Sequence, residues 1–299
     1  MLRKFVGALQ LMSVIVLGVS CVRPASAGQT LIDDLGRHIV LLRPAQRIIS
    51  LAPSVTETLY AVGAQKNLVG DTVYCDYPSA AKGLPHVGGT LDPNAEKILA
   101  LHPDLIIMAT QTVSASEADS YAQRWHTPVF VCAASTYVGV IHDIALLGAL
   151  AGNACKTRSV VQQMRSTLNK VRRLVAHRAP PHVFVVVWQD PLMAAGGASY
   201  IGDLVRLAGG INIAENDGAY PNYSPERLLQ QNPDVILMGD HGLTLHPAVL
   251  KFPAASALAA VRHHRAFAVP SDWTDRPGPR LWLGLLTIAR VLHPKAFAH

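Results

Sequence analysis

Charge is scarce in this chain, cysteine scarcer, and the usual sequence signatures of catalysis are missing. Charged residues make up 15% of the 299 positions and hydrophobic residues 50%, a balance that excludes a disordered chain and describes a globular one. The formal charge is +6. Arg3, Lys4 and Arg23 lie in the first segment, however, and without them 23 basic side chains face 20 acidic ones. So small and scattered an excess, with no basic stripe interleaved with aromatics, argues against nucleic acid as a partner. Of the four cysteines, Cys75, Cys132 and Cys155 sit at no metal-ligand spacing, and no particular disulfide can be assigned among them. There is no Gly-x-Ser-x-Gly elbow, since Gly197-Ala198-Ser199-Tyr200 lacks the second Gly. Neither a phosphate-binding Gly-x-x-x-x-Gly-Lys nor a His-Glu-x-x-His occurs. Of 13 histidines only His241, His246, His263 and His264 cluster, and no carboxylate falls in a ligating pattern with them. No catalytic or metal-ligating residue is therefore assigned, and an enzyme is not expected.

What is present begins with a targeting segment. Arg3 and Lys4 form a positive start, Phe5 to Val19 an apolar stretch broken by Gln10 and Ser13, and Ala25-Ser26-Ala27 a small-residue cleavage site. The stretch is too short and interrupted for a span of roughly 20 residues. Residues 1–27 are thus expected to be a signal peptide, cleaved after Ala27 to release a periplasmic protein. Gly18-Val19-Ser20-Cys21 offers the rival of a lipid anchor at Cys21.

The remainder is organised around an internal echo. Glu96–Met108 reads as a helix, a Pro103-Asp104 stop and an apolar strand. At a constant offset Glu226, Arg227, Leu229, Pro233, Asp234, Ile236 and Met238 answer to Glu96, Lys97, Leu99, Pro103, Asp104, Ile106 and Met108. Around each copy, strands alternate with helices: Arg47–Leu51, a helix from Ser54 with Glu57 as its capping-box partner, Leu68–Gly70, Ser116–Trp125, Pro128–Cys132, and later His182–Trp188, Tyr200–Leu207, Ala254–Val261 and Ala266–Pro270. From Lys156 to about His177 there is neither Gly nor Pro, and Val160, Met164, Leu168, Val171 and Val175 recur at helical spacing. The expected architecture is α/β, with two Rossmann-like lobes at 28–154 and 180–299, one long rigid helix at 155–179, and a ligand cleft between the lobes.

In open α/β sheets the loops after strands gather at the edge where ligands bind. Pro53, Tyr74, Trp188, Tyr220 and Trp273 lie on such loops, with Asp272 and Arg276 flanking the last. Aromatics so placed suit a large, flat, partly apolar ligand. Glu96 and Glu226 follow the N-caps Asn94 and Ser224, and form a matched pair of first-turn carboxylates suited to a two-fold partner bearing arginines.

A resemblance sharpens this reading. The run Arg47-Ile48-Ile49-Ser50-Leu51-Ala52-Pro53-Ser54 with Thr56-Glu57, then Asp76-Tyr77-Pro78, Asn94-x-Glu96-Lys97-Ile98 and Pro103-Asp104-Leu105-Ile106 resembles the substrate-binding proteins of iron–siderophore, haem and vitamin B12 importers. Ala208-Gly209-Gly210-x-Asn212, Ser224-x-Glu226 and Arg276-Pro277-Gly278-Pro279-Arg280 continue it across nearly the whole chain after the signal segment. Within that family the vitamin B12 receptors are most similar. The resemblance implies a monomeric, non-catalytic receptor without a cofactor of its own. It would capture cobalamin or a related metal chelate and deliver it to an inner-membrane ABC permease dimer, with Glu96 and Glu226 as the docking carboxylates. Haem and ferric siderophore are the alternatives within the family, with a phenol of Tyr74, Tyr200 or Tyr220 as an iron ligand. A periplasmic α/β enzyme and a zinc-capturing protein are the alternatives outside it. Gly89-Thr90-Leu91 stands where the B12 receptors carry a Trp, and Ala208 and Ala289 where they carry a cysteine pair.

Overall fold

The computed structural model describes residues 28–240 and 254–298. The signal segment with its cleavage site at Ala27, Cys21, and His241 and His246 lie outside the described residues. In order, the strands are β1 (Gln29–Ile32), β2 (His38–Leu41), β3 (Ile48–Ser50), β4 (Leu68–Gly70), β5 (Leu105–Ala109), β6 (Val129–Cys132), β7 (His182–Gln189), β8 (Leu192–Ala194), β9 (Ile211–Asn212), β10 (Val235–Gly239) and β11 (Ala266–Val269). The helices are α1 (Pro53–Ala61), α2 (Ala95–Ala100), α3 (Ala115–Trp125), α4 (Tyr137–Leu150), α5 (Ala154–Val175), α6 (Tyr200–Leu207), α7 (Pro225–Gln231), α8 (Ala259–Arg262), α9 (Ser271–Thr274) and α10 (Leu281–Leu292).

The sequence echo is an echo of topology. One sheet runs β4-β3-β5-β6, all parallel, and the other places β9, β7, β10 and β11 in the same relative order, also parallel, with β8 added antiparallel to β7. The repeated Pro-Asp explains itself. Asp104 accepts from the backbone N–H groups of Gln46 and Arg47, at the entry to β3, and Asp234 accepts from that of His182, at the entry to β7. Each Asp thus ties the start of its own strand to the start of the parallel neighbour.

The strands are apolar throughout because each sheet is covered on both faces. Successive side chains point to opposite faces, so Ile48, Leu105 and Ile107 enter one cluster while Ile49 and Ile106 enter another. The first of these clusters is continuous: it passes through α1, α4, α5, α6 and α10 to Val183, Val185 and Leu237 of the second sheet. Separate outer clusters hold Trp125 and Ile98 behind the first sheet, and Tyr223 and Leu228 behind the second. Helix α5 packs against α4 and α1 on one side and α10 and α6 on the other.

Several features differ from the sequence expectation. The lead-in forms the β1–β2 hairpin, its turn held by the Asp33 carboxylate accepting from Leu35 and Arg37 N–H. A second hairpin, β7–β8, forms around Asp190-Pro191. Helix α4, unmarked by amphipathic periodicity, lies between the halves and is apolar on nearly all sides. Ser271–Thr274, expected as loop, makes the short α9.

Candidate functional site

After β3 the chain turns through Leu51 and Ala52 into α1. Ala52 holds the N-cap without a side-chain bond, and Pro53 takes the first helical position, where its fixed φ fits and its missing N–H leaves nothing unpaired. Ser54 therefore falls inside the helix, and the expected capping box with Glu57 does not form. Glu57 is engaged elsewhere. Its carboxylate, 1% exposed, accepts from Arg280 Nε at 2.7 Å and Nη2 at 2.6 Å, and from Arg276 Nη1 at 3.0 Å. Arg276 Nη1 also donates to Asp76 at 2.7 Å, while its Nη2 lies 3.0 Å from Asp272. The Arg280 guanidinium sits 4.0 Å from the centroid of the Tyr77 ring, a cation–π contact. Glu57, Asp76 and Tyr77 belong to the first half of the chain and Asp272, Arg276 and Arg280 to the second. The cluster is a clasp across the molecule. Its hydrogen bond to Arg276 holds the Asp76 carboxyl below the ordinary range. Burial opposes the charge on Arg276, but the bonds to Asp76 and Glu57 outweigh it and raise its pKa.

Between the same two halves lies a cavity of about 240 Å³. From the first half it is walled by Ser54, Val55 and Thr58 of α1, Ala109 to Thr112 at the end of β5, Cys132 to Ala134 at the end of β6, and Asp143, Ile144 and Leu147 of α4. Tyr200, Tyr220, Asp275 and Pro277 close it from the second half. It thus opens at the carboxyl ends of β5 and β6, the edge where α/β sheets bind ligands.

Its polar groups are mostly neutral. Burial, with Asp34 nearby, pushes the Asp143 carboxyl up to about 8, so at neutral pH it is chiefly the uncharged acid. Asp143 Oδ1 has no hydrogen-bond partner among the described residues. Burial also drives the Cys132 thiol and the Tyr200 phenol well up, and raises Tyr220. Tyr200 donates to the Asp275 carbonyl at 2.7 Å. Among the described residues no Lys, Arg or His lines the cavity.

The residues expected to bind ligand are only partly gathered here. Tyr220 lines the cavity, Pro53 precedes Ser54 at its wall, and Arg276 precedes Pro277. Asp272 and Trp273 stand on α9, with Trp273 half-buried and its carbonyl over Gly284. Tyr74 is 60% exposed, its ring edge beside Gly89. Trp188 is 57% exposed, and its indole N–H donates to the Asp190 carbonyl at 2.8 Å. Two features escaped the sequence reading: Asp143, whose signal was a lone acid in an apolar segment, and the pairing of Glu57 with Arg280, whose halves lie in motifs already singled out. Glu96 and Glu226 are exposed in the first turns of α2 and α7, behind Asn94 and Ser224, which accept from Lys97 N–H and Arg227 N–H. Cys75 and Cys132 are buried free thiols.

Among the described residues no helix is long and apolar enough to cross a membrane. The profile of the family described as "Periplasmic binding protein" matches residues 48–273. A vitamin B12-binding protein of Vibrio cholerae is 31% identical over 238 residues, covering 79% of this chain and 85% of the relative. The crystal structure of the periplasmic vitamin B12-binding protein BtuF of Vibrio cholerae superposes with a TM-score of 0.74 at 28% identity, covering 86% of this chain and 99% of that one. The periplasmic haem-binding protein RhuT from Roseiflexus sp. RS-1 gives a TM-score of 0.74 at 25% identity, covering 84% and 99%. The chain belongs to the periplasmic binding protein family, and is thus a two-lobed substrate-binding receptor for an ABC importer rather than an enzyme.

Proposed function

We propose that this receptor captures a corrinoid of the vitamin B12 type and delivers it to an ABC permease dimer. The observation that carries the reading is the chemistry of the cavity. Ser54, Thr58, Thr110, Gln111, Thr112, Tyr220 and the neutral Asp143 offer hydrogen bonds without positive charge. The carboxamide arms on a corrinoid rim are neutral donors and acceptors and match such a lining. Haem propionates and acidic siderophores call for cations, and the two nearest on this segment, Arg276 and Arg280, are already held by Glu57, Asp76 and Asp272. At about 240 Å³ the cavity admits only side arms of so large a ligand, leaving the ring to the exposed aromatics Tyr74 and Trp188 and to α9.

Delivery would use Glu96 and Glu226, one carboxylate per permease subunit, since the echo places them identically in two topologically equivalent units. Absorbance titration tests the ligand. Saturable binding of cyanocobalamin with little binding of haemin is expected; tight haemin binding with none of cobalamin would overturn the ligand and leave the receptor class intact.

A further inference from the structure

The excess of positive charge that looks scattered along the sequence falls on one helix. Helix α5 carries Lys156, Arg158, Arg165, Lys170, Arg172 and Arg173 and not one acidic residue. Indeed no Asp or Glu occurs between Asp143 and Asp190. From residue 28 onward basic side chains outnumber acidic ones, 23 to 20; with the six on α5 set aside, the remainder is net negative. The molecule is therefore electrically lopsided, with its excess of positive charge on one ridge.

The geometry of that ridge is simple. Thr157, Met164, Thr167, Leu168, Val171 and Val175 are buried and fix the inward face. Arg158, Arg165 and Arg172 follow one another at seven-residue spacing, so they form a stripe with guanidiniums about 10.5 Å apart along the axis. Gln162 and Asn169 fill the exposed positions between them, and Lys170 and Arg173 extend the patch sideways. Among the described residues, the ion pairs of the protein join other cations and leave these five without a carboxylate. Lys156 differs, its stem lying across Gly63.

We propose that the solvent face of α5 is a docking surface for an anionic phospholipid bilayer, which holds the receptor peripherally at the membrane that carries its permease. Charge complementarity selects the occupant. A specific protein partner would need an apolar centre to the patch, and the exposed positions of this face between Arg158 and Arg173 carry Arg, Lys, Gln, Asn and Ser. Nucleic acid readers interleave aromatics with the cations, and none stands on this face. A row of long cationic side chains on a straight rod of 22 residues, about 33 Å in length, suits a flat plane of phosphates with no demand for shape. The lopsided charge would orient the approaching molecule with α5 leading. Nothing in this depends on which solute the cleft holds.

Vesicle flotation tests it. The purified receptor should bind vesicles containing phosphatidylglycerol at low salt, should ignore vesicles of phosphatidylcholine alone, and should release as salt rises and the screening length shortens. Replacing Arg158, Arg165 and Arg172 together by Gln should weaken binding about a hundredfold, at roughly fivefold per residue, while thermal stability and solute binding stay unchanged. A charge-matched control, Lys82→Gln with Arg124→Gln and Arg262→Gln, should lose far less. Failure of the unaltered receptor to prefer anionic vesicles, or equal losses in the two triple variants, would overturn the proposal.

Discussion

Removing the Glu57 carboxylate should destabilise this receptor more than removing any surface charge. The side chain is 1% exposed, and its partners Arg276 and Arg280 are 20% and 15% exposed. The Arg280 contact is a two-pronged fork, Nε to Oε2 and Nη2 to Oε1, the geometry in which guanidinium and carboxylate bind most strongly. Glu57→Ala leaves Arg280 with Asp272, at 3.6 Å, as its one paired carboxylate and the Tyr77 ring beside it, whereas Arg276 keeps both Asp76 and Asp272. Stripping one partner from a buried pair costs about 3–5 kcal/mol, and the surviving contacts put the expectation near the lower end, about 3 kcal/mol. For a chain of this size that is a fall in Tm of roughly 6–9 °C, readable by calorimetry. The loss should persist at high salt, because the pair is shielded from counter-ions. A cycle with Arg280→Met should show coupling of about 2 kcal/mol. Since Ser54 and Pro277, near neighbours of Glu57 and Arg276, both line the cavity, ligand affinity should fall with stability. A Tm within about 2 °C of the unaltered protein, or coupling below about 0.5 kcal/mol, would refute the clasp.

Three further expectations follow from the site. Asp143, at about 8 when folded against an ordinary 3.8, gains a proton on folding, so its contribution is full below pH 3.8 and is lost as pH rises toward 8. Asp143→Asn should flatten the decline of Tm between pH 6 and 8, a window chosen above Asp71, which burial pushes up to about 6; an unchanged slope refutes the neutral acid. Glu96→Ala combined with Glu226→Ala should leave Tm and ligand binding nearly intact while transport in a reconstituted importer collapses, and normal transport with lowered Tm would reduce the pair to helix-start residues. Trp273→Ala should weaken corrinoid binding about tenfold, and calorimetric titration showing an unchanged Kd would remove α9 from the ligand surface.

Much of the fold was legible because its signals are local. An apolar run bounded by Pro-Asp is a buried strand wherever it occurs, so β5 and β10 could be read from a handful of residues. The constant offset between them announced two topologically equivalent sheets. Gly63, just past the end of α1, adopts φ 78°, a conformation that favours glycine. Glu96 and Glu226 were legible for the same reason, each lying two residues after a polar N-cap.

Helix α4 was not legible because it is apolar on nearly every side. Periodicity needs a wet face, and α4 has little of one, being covered by α1, α5 and α6. Its only acid, Asp143, was lost with it. Glu57 failed in the opposite way: its local signal was strong and wrong. A Ser followed three residues later by Glu describes a helix start, and the helix does start there, but Pro53 already supplies what the first turn needs. That left the carboxylate free to meet two guanidiniums more than two hundred residues away. Local patterns rank what a side chain could do nearby. They carry no term for a partner brought in by the second sheet, and across a cleft that partner decides. The Glu57–Arg280 pair, hard to read from the sequence, joins the two halves beside the cavity, and substitutions in the clasp should alter the cleft more than substitutions on the exposed aromatics that the sequence picked out.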